Sequence, residues 1–130
     1  MDKIQIEVNQ LPPVEYSLNF RGHWSKRYRA GRDYGLAIYY SAMDPRYRLA
    51  SFTPFEKARI DLTFVFATNR KRDRDNLIAR FKPGLDALVD ANILTDDSSK
   101  CVKFGEINIE VDKSRAPMTI IKLTKEVKDV

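Results

Sequence analysis

The chain has one cysteine, Cys101, and one histidine, His23, among 130 residues. A single thiol cannot form an internal disulfide, and a zinc site of Cys and His needs about four ligands. Neither device can organise this fold. Any resident metal is therefore a hard cation held by oxygen, Mg²⁺ or Mn²⁺. Long apolar runs are missing as well, since none approaches the roughly 20 residues that span a bilayer. The opening stretch MDKIQIEVNQ alternates polar and apolar residues and lacks the apolar core of a secretion signal. The expectation is one cytoplasmic domain, because a chain of this length buries an adequate core without crosslinks.

Charge, by contrast, is abundant. Lys and Arg number 23 against 18 Asp and Glu, a net charge of +5. That excess permits nucleic-acid binding without requiring it, so its distribution matters more. One basic cluster holds Arg21, Lys26, Arg27, Arg29 and Arg32. A second holds Arg70, Lys71, Arg72, Arg74, Arg80 and Lys82, and it overlaps the most acidic motif of the chain.

Periodicity outlines an α+β domain of order β-α-β-α-β-β, with a mixed or mostly antiparallel sheet and two helices packed on it. Ile4, Ile6 and Val8 alternate as in a strand, which Pro12 and Pro13 follow. Asn19–Arg32 begins as a polar loop. A helix is expected from about Ser25 to Ala42, with Tyr28, Leu36, Ile38, Tyr39 and Tyr40 as its apolar surface, although Gly31 and Gly35 weaken it by roughly 1 kcal/mol each. Arg59–Ala67 alternates cleanly, with Ile60, Leu62, Phe64 and Phe66 on one face. A second helix is expected from about Asp75 to Ala91, with Leu77, Phe81, Leu85, Leu88 and Val89 as its stripe and Asn92 near its C-cap. Val102–Val111 and Met118–Leu123 read as a terminal hairpin. A change of apolar parity about Gly105 suggests a β-bulge in its first strand.

The acidic motif is Asp73-Arg74-Asp75-Asn76-Leu77, at a strand-to-helix junction. Two carboxylates one residue apart can converge on a single cation, and their mutual repulsion favours having one there. Asp96-Asp97 follows the second helix. A loop folded back toward Asp73 and Asp75 would supply a third ligand. The same residues also suit a bland role: Asp73 as an N-cap, Asp75 in the first helical turn, and Asp96-Asp97-Ser98-Ser99 as a turn.

The stretch RDRDNLIARFKPGLDALVDANILTDDSSK, Arg72 to Lys100, resembles the RusA family of crossover-junction endodeoxyribonucleases. That family has a D-x-D-N-L motif, a helix and then an Asp pair, and weaker similarity runs over most of the chain. The resemblance implies a Mg²⁺-dependent homodimer that resolves Holliday junctions, four-way branched DNA, by paired symmetric nicks. It assigns catalytic and metal-binding roles to Asp73, Asp75 and Asp97. The family lysine, four residues after the second aspartate, is replaced here by Ala79. Lys82 is the nearest substitute: on a continuous helix Asp75, Ala79, Lys82 and Asp86 share a face, but Pro83 disfavours helical backbone at Lys82. Asp86 suits a salt bridge better than a ligand role. Arg21, Lys26, Arg27, Arg29, Arg70, Lys71, Arg72 and Arg74 are the candidate DNA contacts. Trp24 could stack on a base and His23 could serve in acid–base chemistry, although a tryptophan is more often core. Two rivals stand beside this expectation: a non-catalytic DNA-binding module, and a metal nuclease acting on forks or flaps.

Overall fold

A computed structural model describes residues 2–126. The elements are β1 (Lys3–Val8), α1 (Trp24–Met43), β2 (Ala58–Phe66), α2 (Arg74–Arg80), α3 (Lys82–Asp90), β3 (Val102–Val111) and β4 (Met118–Lys125), with a 3-10 turn at Val14–Tyr16. The fold is α+β. Among the described residues no helix is long and apolar enough to cross a membrane.

The four strands form one mixed sheet in the order β1-β4-β2-β3. β4 lies antiparallel to both β1 and β2, whereas β2 and β3 are parallel. The expected terminal hairpin is therefore corrected: β2 stands between β3 and β4. Ile121 and Leu123 are fully buried, and a strand with partners on both sides suits them better than an edge would. The connection at 112–117 must cross two inter-strand spacings, about 10 Å, and six residues can reach twice that. Asp112 fastens its start, donating its amide to Phe66 O (2.9 Å) and accepting from Ser114 N (2.9 Å).

Alternation decides which face of the sheet is covered. Ile4, Ile6 and Val8 of β1, Ile60, Leu62, Phe64 and Phe66 of β2, and Ile121 and Leu123 of β4 join one core with Tyr34, Ile38 and Ala42 of α1 and Leu77, Phe81 and Leu88 of α2 and α3. Each large side chain so buried contributes about 1.5–3 kcal/mol. The expected face of α1 is corrected here. Only Ile38 of the five named residues is fully buried; Gly31, Tyr34, Ile38 and Ala42 form the buried stripe, while Tyr28, Leu36 and Tyr40 are exposed. α1 passes unbroken through both of its glycines.

The second expected helix is two. Lys82 and Pro83 open α3, and Phe81 forms the joint between α2 and α3, with φ −78° and ψ −9°. Proline supplies no amide but is tolerated in a first turn, so Pro83 restarts the helix without ending it. At the other end Asn92 adopts φ 59°. Its amide reaches Val89 O (3.0 Å) and that of Ile93 reaches Leu88 O (2.9 Å), which is a Schellman closure.

The bulge expected near Gly105 is present. Ile60 pairs with Phe104 but Leu62 pairs with Ile107, so β3 carries one extra residue. Asp61 holds it, its Oδ1 accepting the Glu106 amide (2.7 Å) and Arg59 Nε (3.0 Å). A side chain at Gly105 would collide with both Arg59 and Asp61.

One buried polar chain ties helix to sheet. Thr119, fully buried, donates its hydroxyl to Gln10 O (2.7 Å). Its remaining lone pairs make it the acceptor from the Tyr34 hydroxyl, 2.9 Å away. Burial pushes the Tyr34 phenol far above its usual range, so it stays protonated and donating. Thr119→Val leaves the Tyr34 hydroxyl and the Gln10 carbonyl without this link and is expected to cost about 1–3 kcal/mol. Tyr34→Phe removes one hydrogen bond, for about 0.5–1.5 kcal/mol. Urea unfolding of both variants checks the order.

Candidate active site

The loop after β2 delivers the first two aspartates. Asp73 has extended backbone (φ −94°, ψ 122°) and caps α2, its Oδ1 accepting the Asp75 amide at 2.9 Å. Asp75 follows in the first turn, where the positive end of the helix dipole favours a carboxylate. Both are exposed. Asn76, the next motif residue, faces the other way: its Oδ1 accepts the amide of Leu18 (2.8 Å) and fastens the 14–20 segment to α2. Arg80, half-buried, donates to Pro12 O from two nitrogens (2.6 and 3.2 Å) and fastens the segment just before it.

The third aspartate lies against the start of α3. Asp97 Oδ2 lies 2.6 Å from Lys82 Nζ, and the same ammonium lies 2.8 Å from Asp86 Oδ1. The second contact is an i,i+4 pair along α3. The turn itself is held by Asp96, whose Oδ1 accepts the Asp97 amide (2.9 Å). Lys82 thus gathers two carboxylates from separate stretches. The hydrogen bonds that Lys82 donates to Asp86 and then Asp97 raise its pKa, and Lys82 in turn holds the Asp97 carboxyl below the usual range.

The donor chemistry of Asp73, Asp75 and Asp97 suits a hard cation, since every candidate ligand is a carboxylate. Among the described residues, though, no three His, Cys, Asp or Glu side chains are grouped as an ion's ligands would be. Asp97 is neutralised by an ammonium instead.

The basic residues divide by role. Arg70, Lys71 and Arg74 are exposed beside the aspartates. Arg72 turns inward: its guanidinium lies 3.6 Å from the Phe66 ring centroid and donates to Thr68 O and Arg70 O, both at 3.0 Å. Its visible work is to shape the loop. Arg21, Lys26 and Arg29 are exposed around the start of α1. Arg27 stacks 4.1 Å over Tyr16 and donates to Glu15 O. His23 caps α1, its Nδ1 accepting the Ser25 amide at 3.1 Å. Trp24, 71% exposed, is not a core residue.

Two roles were not read from sequence. Asn76 and Arg80 position the 11–20 segment, and Tyr16 and Phe20 help form a cleft beside Lys82. Asn76 was visible as part of the Asp-x-Asp-Asn motif. Nothing local marks the two aromatics.

The Asp97 shift has a definite sign. A depressed carboxylate contributes stability above its ordinary pKa, and the contribution is lost as pH falls through the depressed value. Lys82→Met is expected to raise the Asp97 pKa to or above the usual aspartate range, measured by carbon-detected NMR titration of the carboxyl. An unchanged midpoint would show that Lys82 does not hold Asp97. Set against known proteins, the chain matches no family model and no curated protein.

Proposed function

We propose that this protein is a Mg²⁺-dependent endodeoxyribonuclease, similar to the RusA family, that nicks four-way DNA junctions by phosphodiester hydrolysis. The observation that carries this reading is the 2.6 Å contact between Lys82 and Asp97. It joins the last aspartate of the motif to the helical segment that Asp73 and Asp75 open. Asp73, Asp75 and Asp97 would hold the ion, with Mn²⁺ as a substitute. When bound, a divalent ion lowers the pKa of a water ligand and offsets charge on the phosphate. Lys82 supplies a fixed positive charge for the oxyanion that develops. Arg70, Lys71 and Arg74, with Arg21, Lys26 and Arg29, grip flanking phosphates, which makes binding fall steeply with salt.

The assay is incubation with a synthetic four-way junction, in Mg²⁺ and in EDTA. Asp75→Asn is expected to lower nicking by on the order of a hundredfold or more, because even outer-shell changes at metal sites cost 10–100-fold. Binding at low salt should persist. Activity in EDTA, or an unimpaired Asp75→Asn, overturns the reading. Comparing junction, fork and flap separates a resolvase from a nuclease of other preference.

The capping contact from Asp75 N to Asp73 Oδ1 favours a second reading, a DNA-binding module whose aspartates only shape a helix end. There the Asp73→Asn and Asp75→Asn changes alter stability slightly, and Mg²⁺ brings no cleavage.

A junction has approximate two-fold symmetry, so a homodimer could present two sites to two equivalent strands. The surface proposed for that contact is the outer face of α1, where Tyr28, Leu36, Tyr40 and Met43 are all at least 45% exposed. Contiguous exposed apolar groups of this kind mark association surfaces. The adjoining groove to α3 carries Arg32 on one wall and Asp86 and Asp90 on the other, charges that a two-fold-related copy could pair. The double change Leu36→Glu, Tyr40→Glu should give a monomer in sedimentation velocity and turn paired incisions into single nicks. A wild-type monomer would rule this surface out.

A further inference from the structure

We infer that the cleft between the 14–20 segment and the α2–α3 junction is a pocket for one unstacked DNA base. Two clefts of about 460 Å³ flank α3, a size typical of small-ligand sites. Charge separates them. The cleft toward α1 sets Asp86 and Asp90 against Arg32 alone, a net negative lining that repels a phosphate. Among the described residues the other has no acidic side chain in its lining. Its walls bear the rings of Tyr16, Phe20, Phe81 and Phe104, and its cations are Arg27 and Lys82, the second already paired with Asp86 and Asp97.

A nucleotide joins a flat apolar ring to an anion, and this lining offers a partner for each part. Bases stack on aromatic side chains and on guanidinium planes without regard to sequence. Arg27, already stacked on Tyr16, extends that ledge outward. The walls are braced before any ligand arrives. Asn76 anchors the loop through Leu18, and Arg80 anchors its approach through Pro12. Gly22 lets the Phe20 ring lie against the backbone, where a Cβ would collide with it. Lys82 belongs both to this cleft and to the contact with Asp97. A base seated here would therefore fix its own phosphate beside the proposed site.

The inference shares with the nuclease reading DNA as ligand and Lys82 as a neighbour, and its test needs no cleavage. Binding of a labelled twelve-residue oligothymidylate is compared in EDTA with binding of a twelve-residue abasic strand of equal charge, by fluorescence anisotropy. The wild type should prefer the base-containing strand by about tenfold or more, in line with base stacking on protein rings. Phe20→Leu and Ala79→Phe, which remove a ring and fill the cleft respectively, should erase that preference while leaving abasic binding unchanged. Equal wild-type affinity for the two strands overturns the pocket without needing any variant. So does a preference that survives Ala79→Phe in protein with a wild-type melting curve, since stacking then lies elsewhere, as on exposed Trp24. A retained preference without any Mg²⁺-dependent junction cleavage keeps the pocket and removes the nuclease.

Discussion

The parallel pairing of β2 with β3 governs the layout of this molecule. Two parallel neighbours cannot be joined by a tight turn, because the chain must travel back along the sheet before the second strand begins. The α2–α3 segment makes that journey. It leaves the end of β2 through the basic loop and Asp73, packs Leu77, Phe81 and Leu88 on the sheet, and returns through Asn92. The three aspartates, Lys82 and the basic residues 70–74 all lie on this one crossover or on the turn that ends it. Their neighbourhood is thus set by a backbone requirement, and the side chains refine it.

The refinement is electrostatic. Asp97 lies on an irregular turn, where a short acidic side chain has little packing to fix it. Lys82 supplies what packing does not, with one ammonium touching carboxylates from the helix and from the turn. Exposed ion pairs contribute little stability. The value of this one is positional, since it ties the 95–98 turn to the start of α3. Pro83 assists by restarting the helix at Lys82, so that the first turn of α3 presents the ammonium toward that turn.

Much of this architecture is legible in sequence. β1 alternates throughout and β2 as far as Phe64, and the bulge at Gly105 shows as a change of apolar parity. Asn92 stands where a left-handed residue closes α3. Failures arose where apolar content exceeds what one face can bury. α1 carries large apolar groups around most of its circumference and buries only the stripe of Gly31, Tyr34, Ile38 and Ala42, two of whose members are small. Periodicity weighted by side-chain size points at the wrong side. The pairing of β3 with β2 depends on contacts between residues more than 40 apart, and no local pattern encodes it. The site divides in the same way. Asp73, Asp75 and Asp97 are visible as a spaced motif, while the aromatic lining beside Lys82 is assembled from three separate segments.

The irregularity in β3 has a further effect on how copies of this chain can meet. β3 is an outer strand, and an unbroken outer strand offers its backbone to any passing extended chain. Here the added residue at Gly105 and Glu106 interrupts the regular spacing of donors and acceptors, and Lys103, Glu106 and Glu110 surround it with charge. A neighbouring molecule cannot continue the hydrogen-bond ladder past that point. Growth by addition at this edge, a route to fibres, is thereby discouraged.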